Sequence, residues 1–182
     1  MSEYERWEGR FGVPDYVFGK APNYFLASCK ALLPKSGKVL AVADGEGRNG
    51  VWLAEQGLDV LSIDFSPSAQ HKAQALANER GVSLSFERTD VHSWHYPEAA
   101  FDVVVEIFTQ FSSPAERAMK WAGMRKALKP GGLEQYYRDN VMGGPGSFVM
   151  VAEDFQSFGR AIVKKMIAEI ASLRLAPHII AR

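Results

Sequence analysis

At 182 residues the chain is long enough for one domain that buries roughly 70% of its extended surface, and too short for two ordinary enzymatic domains. Its 21 Lys and Arg are matched by 21 Asp and Glu, so no basic excess argues for nucleic acid or an anionic membrane as partner. The single Cys29 allows no internal disulfide, and MSEYERWEGR at the N-terminus has neither a signal-peptide nor a membrane-spanning apolar run, so a cytoplasmic protein is expected.

The stretch from Trp7 to Tyr24 is aromatic without clear periodicity and reads as a cap, residues 1–24, over one edge of a core spanning 38–182 in a single domain. Val39 to Ala43 reads as a first strand and Arg48 to Gln56 as a helix. Asp59 to Ile63 is a second strand that ends at Asp64. Ser66-Pro67 then starts a helix, with Ser66 as cap and Pro67 at the first helical position; Ala69, Ala73, Leu76 and Ala77 recur at helical spacing until Gly81 stops it. Ser83 to Arg88 alternates like a third strand. Phe101 to Phe108 is a fourth, whose Val103, Val104 and Val105 form the continuous apolar run of a strand buried on both faces. A helix from Pro114 to Leu128 stops at Lys129-Pro130-Gly131-Gly132 and feeds a fifth strand near Leu133 to Tyr137. Beyond it, Ala152 to Phe158 reads as helix, Ala161 to Ser172 suits helix or strand, and Pro177 to Ala181 reads as a terminal strand. Strands alternating with helices are the sign of βαβ units and a parallel sheet covered on both faces.

Between the first strand and its helix lies AlaAspGlyGluGlyArgAsnGly, residues 43–50. Gly45 and Gly47 permit backbone angles and a close approach that a side chain would block, and the helix start offers unpaired N–H groups to a polar ligand. About twenty residues on, Asp64 ends the second strand, near the surface, where its carboxylate can accept from two ribose hydroxyls. A nicotinamide dinucleotide and S-adenosylmethionine (SAM) both use that arrangement. His92 and His95 are three apart with no further clustered ligand, so no metal site is expected.

Later motifs separate the two cofactors. Thr89-Asp90-Val91 closes the third strand and LKPGGL joins the last clear helix to the fifth, and with the glycine turn these resemble the Class I SAM-dependent methyltransferases. GEGRN, WLAEQGLDVLSIDFS, TDVHSW, FDVVVEIFTQF and ALKPGGL, with an N-terminal W-x-x-R-F and FGKAPNYFL, look like the tellurite-resistance (TehB-like) branch. The resemblance implies a three-layer Rossmann-like α/β sandwich with a mostly parallel central sheet and an antiparallel C-terminal strand. It implies SAM as cofactor, S-adenosylhomocysteine as product, and a small-molecule acceptor such as a thiol or metalloid oxyanion, in a monomer or homodimer. A SAM-binding regulatory protein without turnover has the same fold. Ala43, Asp44, Gly45, Gly47 and Asn49 then belong to the cofactor turn; Asp64, Phe65 and Ser66 to the ribose side; Asp90 and Val91 to the adenine side; Glu106 and Ile107 to the methyl end. Trp7, Arg10, Tyr16, Thr109 and Gln110 are the implied acceptor contacts. No catalytic acid or base is identified. The family's usual acid near the end of the first strand is Ala41 here, so Asp44, Glu46, backbone carbonyls or the cap must take its place.

Overall fold

The computed structural model describes residues 2–109 and 111–130. Its first element corrects the reading of the N-terminus as aperiodic: Glu3–Phe11 is a helix, α1. Ser2 and Glu5 form a capping box, each side chain accepting from the other's backbone N–H (2.8 and 3.1 Å), with acids in the first turn and Arg10 in the last to complement the helix dipole. Only Trp7 and Phe11, four residues apart on one face, turn inward, too few to register as a period. A short helix, α2, follows at Tyr24–Ser28, capped by the Asn23 side chain.

Four strands, β1 (Lys38–Val42), β2 (Asp59–Asp64), β3 (Ser85–Arg88) and β4 (Val103–Glu106), pair in the order β3-β2-β1-β4, and every pair is parallel. Between them run α3 (Arg48–Glu55) and α4 (Pro67–Arg80), and α5 (Pro114–Ala127) follows β4. The α4 limits are those expected: Ser66 Oγ accepts from Ala69 N–H, Pro67 opens the helix, and Gly81 closes it at φ 68°.

The β1 side chains alternate between two cores. Leu40 and Val42 join Ile63, Tyr96 and Phe101 on one face, while Val39 and Ala41 join Leu26, Leu53 and Val60 on the other. Ala41 therefore sits in a dry apolar layer.

β4 departs from expectation in two ways. It is four residues rather than eight, because Phe108 turns to φ 63° beyond its end, and Asp102 before it accepts from Lys38 N–H (2.8 Å) and Lys129. Its three valines are half-buried rather than buried on both faces, since among the described residues β4 pairs only with β1. The fifth strand, the later helices and the antiparallel C-terminal strand lie outside the described residues. No described helix is long and apolar enough to cross a membrane.

Candidate binding cleft

Parallel strands deliver their C-terminal ends to one edge, and there the chain makes its tightest turn. Within five residues Ala43, Gly45 and Gly47 all take positive φ, 49°, 59° and 82°. Gly47 begins α3 in the left-handed conformation with no side chain of its own to cap the helix, and of the first helical N–H groups that of Gly50 is met by Asp44. A Cβ at Gly45 would stand 3.2 Å from the Phe11 ring; one at Gly47 would stand 2.6 Å from the Ala73 Cβ. The first glycine thus makes room for the N-terminal helix and the second for α4.

Three acids gather under this turn. Asp44 is spent internally, accepting from Gly50 N–H (3.1 Å) and the Ser62 hydroxyl (3.0 Å). Glu46, buried, pairs with Lys72 (2.8 Å) and accepts from Phe18 N–H (3.4 Å). Asp64 lies near no surface: it is 7% exposed, and its two oxygens accept from Gly45 and Ser66 N–H, both at 2.9 Å. The end of β2 is roofed by the glycine turn and the start of α4, which the sequence position alone does not reveal.

Burial pushes the Asp44 carboxyl up to about 7 and that of Asp64 up to about 6, although hydrogen bonds from Ser62, Gly50, Ser66 and Gly45 oppose the shift. An acid whose folded value is raised adds stability below about pH 4 that is lost as pH rises through the folded value. Urea unfolding from pH 4.5 to 7.5 is therefore expected to show a smaller stability loss for Asp44→Asn than for the parent protein; an equal loss would mean that Asp44 is ionised without penalty.

The N-terminal segment is fastened over the turn at several points. Glu8 accepts from both serine hydroxyls, Ser66 and Ser68, at the start of α4. Burial works to raise its carboxyl, but these hydrogen bonds outweigh burial and hold it below the usual range. Asn49 accepts from Asn23 N–H (2.9 Å), and the Tyr16 hydroxyl donates to the Lys72 carbonyl (2.9 Å). Held in this way, Trp7 stacks on Phe11 (5.3 Å), and the Arg10 guanidinium lies over Trp7 and Phe18, 5.1 Å from each ring.

A polar chain ties the loops after β3 and β4. His92 Nδ1 lies 3.0 Å from Asp90 Oδ1, His92 Nε2 lies 2.8 Å from Ser112 Oγ, and Lys120 Nζ donates to the same Oγ (3.0 Å). The Lys120 ammonium only donates, so Ser112 Oγ is an acceptor toward it and has its proton and a second lone pair left for the contact with His92 Nε2. Lys120 also meets Glu106 at 2.5 Å, and Thr109 Oγ1 (2.6 Å) and Trp121 Nε1 (2.8 Å) donate to that carboxylate.

The resulting cleft is narrow, with a cavity volume of about 50 Å³. Of the residues named from sequence, Ala43, Asp44, Gly45, Asn49, Asp64, Phe65, Ile107 and Trp7 line it. Gly47 shapes the turn and Ser66 caps α4. Val91 is buried in the core, Asp90 and Glu106 belong to the polar chain, and Thr109 donates to Glu106. Tyr16 packs beside α3 and α4, and Arg10 lies on the ring wall. Gln110 lies outside the described residues. The sequence reading missed Phe11, Phe18 and Arg48, which also line the cleft, and the latch Glu8. The Ser2-x-x-Glu5 capping box was the signal that would have announced α1 and its inward face.

A methyltransferase-domain family profile matches residues 39–132, and a second, described as a protein of unknown function, matches 117–174. Uncharacterized proteins of Mycobacterium bovis and Mycobacterium tuberculosis are 27% identical over 95 residues, 52% of this chain and 34% of theirs, so the chain spans about a third of the curated relatives it matches. A structure from work on converting a disulfide bond into a thioacetal group during echinomycin biosynthesis is 24% identical, with a TM-score of 0.62 over 71% of this chain and 58% of its own. A TehB-like SAM-dependent methyltransferase of Corynebacterium glutamicum is 25% identical, with a TM-score of 0.50 over 70% and 66%.

Proposed function

The chain belongs to the methyltransferase-domain family, and on that premise we propose that it moves the methyl group of SAM to a small-molecule acceptor. The observation that carries this reading is the cleft itself: a turn with three left-handed residues, a buried carboxylate and aromatic walls meet at the C-terminal edge of a parallel sheet.

The residues fit the cofactor. The Asp64 carboxylate takes backbone N–H groups of Gly45, Ser66 and Phe65 and keeps acceptor capacity for a ribose hydroxyl. Phe65 and Ile107 offer apolar wall, and Trp7, Phe11 and Phe18 offer ring faces to a positive sulfur, worth about 0.5–2 kcal/mol. The Trp7 indole Nε1, sealed from water and without an acceptor among the described residues, is a donor awaiting one.

When bound, SAM would supply a methyl carbon already activated by its cationic sulfur, one that an acceptor's lone pair could take while the bonding pair stays on sulfur. The chain aligns the partners and excludes water, which can supply several kcal/mol. Glu46, Asp44 and Glu106 are each engaged with internal donors, so no side chain is assigned as general base. A soft nucleophile, a thiolate or metalloid oxyanion, needs none. The equal count of 21 basic and 21 acidic residues accords with a single-domain cytoplasmic enzyme, monomer or homodimer, acting on small molecules rather than nucleic acid.

S-adenosylhomocysteine at a hundred times its dissociation constant is expected to stabilise the fold by about 2.7 kcal/mol and raise the melting temperature by about 5–10 °C, with NAD giving no shift. A shift with NAD alone would overturn the cofactor; binding without turnover over a panel of thiols and oxyanions would make the chain a SAM-binding protein.

A further inference from the structure

Outside the cleft opens a second, wider chamber of about 590 Å³, which shares Trp7, Phe18, Arg48, Phe108 and Phe111 with it. Its wall is a continuous file of rings: Trp7 lies 6.4 Å from Phe111 and 6.3 Å from Phe18, and Phe18 stacks on Phe108 at 6.3 Å. Phe108 is 56% exposed and held at φ 63°, a backbone conformation that a bulky residue keeps only when its surroundings impose it. A large ring turned outward at a strained position does nothing for the core.

Positive charge borders the rings. Arg48 lies 5.5 Å from the Phe18 ring and 5.6 Å from the Phe108 ring, with one donor on the Phe18 carbonyl. Arg6, which lines the chamber, spends one nitrogen on Glu3, the one acid among its described lining residues, and Arg48 makes no ion pair among the described residues; Arg10 lies over Trp7 and Phe18 but is not one of the residues that line the chamber. A bare oxyanion is small and strongly hydrated, and would lose water against these rings while leaving most of the chamber empty. A flat apolar body covers the rings, and an acid group on it meets the guanidinium edges while their faces rest on the aromatics.

We propose that the outer chamber binds an aromatic carboxylate, and that an organic anion with a flat ring is the class of methyl acceptor. The assignment of this ligand as acceptor rests on the methyltransferase reading; the binding site does not.

The test uses the full chain and four probes, 4-mercaptobenzoate, thiophenol, 3-mercaptopropionate and selenite, titrated by calorimetry with and without S-adenosylhomocysteine. The expected result is that 4-mercaptobenzoate binds at least about tenfold more tightly than any other probe. Arg6→Gln should remove about five- to tenfold of that affinity and leave thiophenol unchanged, and Phe108→Ser should weaken both aromatic probes. Both side chains are exposed, and unchanged thermal unfolding will show the variants folded. Equal binding of 3-mercaptopropionate or selenite, or no effect of either substitution, overturns the proposal. S-adenosylhomocysteine binding without the aromatic preference overturns the chamber and leaves the methyltransferase. The preference without S-adenosylhomocysteine binding supports the chamber and overturns the cofactor.

Discussion

Lys120→Met is expected to lower the unfolding free energy by about 3–5 kcal/mol at pH 7, the largest single effect in the described structure. Lys120 is 1% exposed on α5, and its ammonium is held by Glu106 at the end of β4 and by Ser112. Removing it leaves a carboxylate with only a hydroxyl and an indole N–H as partners. In the parent protein burial works to raise Glu106, but the Lys120, Thr109 and Trp121 contacts outweigh it and hold the carboxyl below its usual range. Such a depressed acid contributes stability above its unfolded value that is lost as pH falls through the folded one. The variant should reverse that sign, since without the ammonium burial dominates. Urea denaturation should then find its deficit narrower at pH 5 than at pH 7, as Glu106 takes up a proton. Pairing the substitution with Glu106→Gln should restore much of the loss, because an amide carries no charge to strand. A deficit independent of pH and unrelieved by the second substitution would mean that methionine is misfitted rather than that a charge is orphaned.

Gly47→Ala comes next, at about 2–5 kcal/mol. The residue stands at φ 82°, which a Cβ disfavours, and the added atom would lie 2.6 Å from the Ala73 Cβ and 2.9 Å from its Cα. Neither atom can swing aside, so α4 as a whole must move. At Gly45 the nearest atom is the tip of the Phe11 ring at 3.2 Å, on a lid that can give. Gly45→Ala should therefore cost less stability and instead disturb ligand binding by displacing that ring. Chemical denaturation of both variants beside S-adenosylhomocysteine titration separates the two; an equal stability loss would show that the turn conformation, not the neighbour, decides.

What was legible in the sequence was local. Ser66-Pro67 and Gly81 bound α4 through chemistry confined to a few neighbouring residues, and β1 declared itself by an unbroken apolar run and β2 by one interrupted only at Ser62. The glycine turn was readable for the same reason. Long-range pairings left no such trace. Glu106 and Lys120 sit on different elements, and nothing in either neighbourhood marks them as partners; the link from His92 to Ser112 spans twenty residues in the same silence. The burial of Asp64 depends on α4 and the turn closing over it, a tertiary fact. α1 lay between these cases: its cap was local, but its purpose, to lay Trp7 and Phe11 over the turn, was not.

The Ser66 hydroxyl does two jobs with one oxygen. It accepts from Ala69 N–H to close the first turn of α4 and donates its proton to Glu8 of α1. The first bond is made within four residues, whereas the second reaches across 58 positions of chain. During folding the local contact needs little loop closure, whereas the contact with Glu8 requires the long stretch of chain between them to close. The helix that carries Glu8 is held to the domain through such long-range contacts, and its release need not unravel the sheet beneath it.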